Sequence, residues 1–166
     1  MRFEARSKLS QMKRSLARLE RIYCDTGSVI ATSDARDAIE DFVNHAHHFK
    51  DYLKREHPRS AERIEKLVTS DRSLALIADL SNSFKHAHDI AKRRKKHAEE
   101  SGGSDIGDLL RINSHTTVEL GPGLSKCSQR LEISFRGARF DALELAHAAV
   151  ASWDLLLEEE GISPHG

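Results

Sequence analysis

Cysteine, proline and aromatic side chains are scarce in this chain, and long apolar runs are missing. Its two cysteines among 166 residues, Cys24 and Cys127, stand far apart and outside any Cys-x-x-Cys spacing, which excludes a disulfide framework and a thiolate metal site. Both are expected to be reduced and buried. No stretch approaches the roughly 18 apolar residues that a membrane span needs, and the opening segment, MRFEARSKLSQMKRS, has no apolar signal-peptide core. A cytoplasmic protein that makes no use of a membrane is expected. With 3 prolines and 9 glycines there is no fibrous repeat. Net charge is zero, with 39% of residues hydrophobic, so neither a disordered chain nor a general coat of nucleic-acid-binding charge fits.

What is present fits one domain over residues 1–166, long enough to enclose a single core. Neutrality hides an asymmetry: residues 1–100 hold 21 basic and 16 acidic side chains, whereas 101–166 hold 5 and 10. The opening segment carries Arg2, Arg6, Lys8, Lys13, Arg14, Arg18 and Arg21. A second cluster is the run Lys92, Arg93, Arg94, Lys95, Lys96. Local positive potential attracts phosphate even on a neutral molecule, although a charge run is more often a solvated helix face.

Apolar spacings of three and four predict helices through residues 1–100. Leu9, Met12, Leu16, Leu19 and Tyr23 form the first stripe. Ala35, Ile39, Phe42, Ala46, Phe49 and Leu53 form the second, starting near Ser33 or Asp34 and stopped by His57-Pro58. A short helix turns Ile64, Leu67 and Val68 inward, and a fourth does so with Leu76, Ile77, Leu80, Phe84, Ala87 and Ala91. Residues 101–110, which include SGGSDIG, read as a loop. Over 111–137 the period changes to two. Val118 and Leu120, then Leu131, Ile133 and Phe135, predict a β-hairpin through Gly121-Pro122-Gly123, with Arg136-Gly137 as a tight turn after it. The last helix, 140–160, has a capping residue in Asp141, a capping-box Glu144 and a Phe140–Leu145 staple. Leu145, Ala146, Ala149, Val150, Trp153, Leu156 and Leu157 line its apolar side, and Gly161 ends it. Glu158, Glu159 and Glu160 sit at the end where the helix dipole disfavours anions, which predicts an exposed acidic tip facing a basic patch on the same or a second chain. The fold class is therefore mainly α, a helical bundle with a small β-hairpin before the C-terminal helix.

Ten histidines invite a metal reading. His45 and His48 share a helix face with Asp41 and Tyr52, the arrangement of a facial His/His/carboxylate site. No HExxH, cysteine pair or acidic calcium loop accompanies them, so no metal is assigned. The fourth helix carries a sharper feature. Asp79, Asn82, His86 and Asp89 form a polar stripe opposite its apolar one, and a histidine with a carboxylate one turn away suits proton transfer.

The segment Asp79-Leu80-Ser81-Asn82-Ser83-Phe84-Lys85-His86 resembles the active-site segment of the HEPN superfamily, helical-bundle proteins that include metal-independent ribonucleases of toxin–antitoxin, phage-defence and CRISPR systems. Their motif is an arginine, usually a polar residue next, and a histidine after four to six positions. Asn82 matches the polar position and His86 the histidine, while Ser81 stands where the arginine would be. The wider chain is similar to small bacterial proteins of this helical type in His48-Phe49-Lys50-Asp51, in Asn82 to His86, in the late hairpin, and in a final helix opening like Phe140-Asp141-Ala142-Leu143-Glu144-Leu145-Ala146 and containing Trp153-Asp154.

The resemblance implies that two subunits bring their motif histidines together in a basic cleft where RNA is cut. It makes His86 the acid–base group and Asn82 a positioning donor, with Lys85 offering a point charge in place of the arginine and 92–96 as the nucleic-acid contact. It implies no cofactor. RNA and either a second copy or a partner protein are the expected partners. Three readings stay open: a divergent ribonuclease, an inactive module that binds RNA or protein, and a helical scaffold. Loss of the arginine bears on the first, because stabilising the charge that develops at phosphorus commonly contributes most to the rate of such chemistry.

Overall fold

The apolar stripes resolve into five helices, seen in a computed structural model that describes residues 3–24, 32–97, 110–121 and 124–163. These are α1 (Phe3–Tyr23), α2 (Thr32–Glu56), α3 (Ala61–Ser70), α4 (Arg72–His97) and α5 (Ala142–Glu159), with a 3-10 turn over Pro58–Ser60 between α2 and α3. The chain is mainly helical, with one small antiparallel sheet before the last helix.

Helix α2 is the hub, in contact with α1, α3, α4, α5 and the sheet. All six residues of its expected stripe are buried, and Ala38 and Val43 widen it. Small side chains such as Ala35, Ala38 and Ala46 let neighbouring helices approach, and Phe49 meets Trp153 of α5 edge to face, with centroids 5.2 Å apart. On α4 the buried face is Leu74, Ile77, Leu80 and Phe84; Leu74 was missing from the expected stripe, and Leu76 is only partly buried.

Helix ends follow local chemistry. The Asp71 carboxylate accepts the Leu74 amide at 2.9 Å, which opens α4, and takes a hydrogen bond from Ser152 of α5 at 2.8 Å. Asp141 opens α5 by accepting from the amides of Leu143 and Glu144, as its sequence position predicts. At the other end the amides of Gly161 and Ile162 bond back to Glu158 and Leu157, a Schellman closure that needs the positive φ of Gly161, +62°.

The strands are β1 (Leu110–Gly121), β2 (Leu124–Phe135) and β3 (Ala138–Asp141), in the order β1-β2-β3. The hairpin is thus joined by a third strand. Arg136 and Gly137, with φ of 50° and 80°, form the two-residue turn between β2 and β3. Four residues that also supply a helix cap and a staple carry too little alternation to reveal a strand, which is why the sequence shows 136–137 as a turn and nothing more. Leu131, Ile133 and Phe135 are buried, with Ile112 and Leu110 opposite the latter two on the face that meets the helices. The burial of Val118, Leu120 and Cys127, all included in the expectations, lies outside the described side chains.

Tyr23 joins the two layers. Its hydroxyl oxygen accepts the Leu131 amide at 3.0 Å, and its proton is shared between the Leu131 carbonyl at 2.9 Å and Asp141 at 3.1 Å. Burial, with the Asp141 carboxylate alongside, pushes the phenol up to about 12. One residue further on, the expectation of a buried cysteine fails: Cys24 follows the last turn of α1 and is exposed.

Candidate functional site

At about 100° per residue, Asp79, Asn82 and His86 fall along one line of α4, with Asp79 and His86 roughly 10.5 Å apart along the axis. All three, and Lys85 beside them, are exposed. Ser81 turns the other way. It is 5% exposed, and its hydroxyl donates to Asn44 Oδ1 of α2 at 3.0 Å. The position that the resemblance gives to an arginine is therefore a packing position here, where a long cation would be buried against α2. A guanidinium reaches the line from elsewhere: Arg136, at the β2–β3 turn, lies over the Phe135 ring at 4.8 Å and pairs with Asp79 at 3.0 Å. The strip is open on a single helix, and the hollow of about 480 Å³ between α2, α4 and β1 touches α4 at buried Phe84 and includes none of the strip's residues. Asp89 and the basic run 92–96 lie outside the described side chains.

The basic residues of α1 are mostly engaged within the fold. Lys13 pairs with Asp154 of α5 at 2.8 Å and Arg18 with Asp41 of α2 at 3.0 Å. Arg14 bonds Ser10, Arg21 bonds the Ala17 carbonyl, and Lys8 lies 3.3 Å from His45 and over the Tyr52 ring. The acidic tip of α5 finds its counter-charge on the same chain: Arg63 of α3 bonds both Glu159 and Glu160, and Ser60 also donates to Glu160.

The histidine cluster is similarly divided. His45 contacts Lys8, and burial and that cation lower its pKa; His48 lies 3.6 Å from Asp51; Asp41 holds Arg18. Burial first, then Lys50, brings His47 down to about 4. Among the described residues no three His, Cys, Asp or Glu side chains are grouped to hold a metal ion. Nor, among the described residues, is any helix long and apolar enough to cross a membrane.

The outer face of the sheet holds polar residues that no motif in the sequence singles out. The apolar alternation that reveals the hairpin also assigns its polar residues to the opposite side, Arg111, Asn113, His115 and Thr117 of β1 and Ser128, Arg130, Glu132 and Ser134 of β2, and the register adds Arg139 of β3. His115 stands opposite Arg130, while Arg111, Ser134 and Arg139 form one row across all three strands. His115, Arg130, Glu132, Arg139 and Asp141, with Leu131 and Phe140, line a hollow of about 230 Å³ where β3 ends. No family model, curated protein or solved structure matches the chain.

Proposed function

We propose that the protein is a HEPN-like module that engages RNA through Asn82, Lys85 and His86 of α4, in a toxin–antitoxin or phage-defence setting. The observation that supports it is the joint exposure of these three side chains on one stretch of helix, an amide, an ammonium and an imidazole with no covering element among the described residues. Binding follows more directly from this arrangement than cleavage. An open strip excludes no water, and Ser81 is buried against Asn44, so the cation that would stabilise charge at phosphorus must come from Arg136, from Lys85, or from a second copy placed across the strip.

The test is cleavage and retention of labelled RNA by the purified protein, with EDTA present and with His86→Ala as control. Under this reading wild-type protein retains RNA, and His86→Ala combined with Asn82→Ala weakens retention while the circular dichroism stays unchanged. Cleavage that survives EDTA and disappears with His86 makes the module a metal-independent ribonuclease. Retention indifferent to both substitutions overturns the role of α4, and absence of RNA retention favours the scaffold reading.

A further inference from the structure

We propose that the outer face of the three-stranded sheet is a binding surface for the sugar–phosphate backbone of single-stranded RNA, centred on Arg130, Arg139 and His115. From the function proposed above it takes only the ligand class; the surface itself is argued from the sheet alone, and no role for α4 enters.

Charge is the first argument. Arg130 and Arg139 are exposed, and Arg111 lies on the same face in the row of Arg139. Arg36, near the start of α2, shares the hollow of about 480 Å³ with Arg111 and Asn113 at the β1 edge. Against these guanidinium groups the sheet sets two carboxylates among its described side chains. Glu132 lies 3.8 Å from Arg139 and receives a long hydrogen bond from Asn113, and Asp141 is committed to the first amides of α5. A positive surplus fixed on a rigid sheet makes a polyanion the complementary partner.

The uncharged residues narrow the partner further. Asn113, Thr117, Ser128, Ser134 and His115 complete the face, whose described outward positions are all polar, while Leu131 and Phe140 enter the hollow where β3 ends. A protein partner would need aromatic or aliphatic anchors at the centre of its footprint. Arginine with Ser, Thr and Asn is instead the set that contacts phosphate and sugar. Three strands roughly 4.8 Å apart make a strip about 10 Å across, which suits one nucleic-acid strand better than a duplex.

The experiment is fluorescence anisotropy of a labelled single-stranded RNA with the full chain across a salt series, polyglutamate being the competitor. Arg130→Ala with Arg139→Ala is expected to weaken binding about tenfold. It should also reduce the slope of log affinity against log salt by roughly 1.4, at about 0.7 per phosphate contact on a single strand. Glu132→Gln removes the carboxylate in the middle of the face and should tighten binding a few-fold, a gain that a folding defect cannot produce. Asn82→Ala with His86→Ala separates the two surfaces. If it weakens binding while the arginine pair does not, the sheet proposal falls and the α4 reading stands. If the arginine pair acts and the α4 pair does not, the sheet proposal stands alone. Absence of RNA binding at low salt, or polyglutamate competing as strongly as RNA, overturns the sheet proposal.

Discussion

The helical layer and the outer face of the sheet use arginine and lysine in opposite ways. In the helical layer cations bridge elements: Lys13 reaches Asp154, Arg18 reaches Asp41, Lys54 reaches Glu65, and Arg63 reaches Glu159 and Glu160. On the sheet, Arg130 and Arg139 stand beside two carboxylates among the described side chains of that face, Glu132 and Asp141, of which Asp141 caps α5. The charge count of the opening segment is therefore a poor guide to binding. On the reading proposed above, the alternating polar positions of β1 and β2 are a better one, because every second side chain of a β-strand stands on one face in register with its neighbours.

The harshest way to break this contrast is to put an unpartnered cation into the helical layer. Ser81→Arg introduces the residue type that the resembled motif carries at this position but buries it against Asn44, where overpacking and desolvation should cost about 2–4 kcal/mol in urea unfolding. It should confer no cleavage. Gain of cleavage with unchanged stability would mean that the arginine escapes to the exposed strip and that α4 is a catalytic helix in waiting. Next in size is the joint between the layers. Tyr23→Phe leaves the Leu131 amide without its hydroxyl partner and frees Asp141 on one side, a loss of about 1–3 kcal/mol. If sheet and bundle unfold together, Trp153 fluorescence and hydrogen exchange of the Leu131 amide should report the same loss; a larger loss at Leu131 would show that the sheet opens on its own.

Much of the helical layer was legible because its signal is redundant. Each stripe repeats over several turns, so Phe42, Phe49 and Trp153 were placed in the core from spacing alone, and Asp141 announced itself as a cap by position. The sheet's third strand was not legible. Residues 138–141 are too few to show a period, and their staple and cap roles mask the alternation. Of the polar stripe on α4, Asp79, Asn82 and His86 are exposed, as a stripe opposite the apolar one requires, but the burial of Ser81 depends on where α2 lies, which no property of α4 encodes. Cys24 illustrates the same limit. A cysteine is usually buried, yet one just past a helix end takes its exposure from the chain around it.

A smaller effect probes the half-buried histidine of the helical layer. His47 is held to about 4 by burial and Lys50, so in the folded state it stays neutral while the unfolded chain titrates near 6.5. The depressed value means that its contribution to stability is present above about pH 6.5 and is lost as pH falls toward 4, because unfolding then takes up a proton. Partial exposure reduces the size. His47→Gln should flatten the fall in urea midpoint between those pH values, and an unaltered slope would mean that the ring is solvated in both states.

The smallest expected effect is the most informative for the contrast between the layers. Lys13 and Asp154 are each nearly half exposed, so Lys13→Ala should lower stability by less than about 1 kcal/mol despite the 2.8 Å contact. If cations of the helical layer are spent on neighbouring carboxylates, the same substitution should also leave the salt dependence of RNA binding unchanged, whereas Arg130→Ala should reduce it. A Lys13 variant that lowers the salt slope as much as the sheet variant would show that an ion pair within the fold does not withhold a cation from RNA. The difference between the layers would then lie in geometry alone, since a strand sets its arginines in a row that an extended backbone can follow, while a helix distributes its cations around a cylinder.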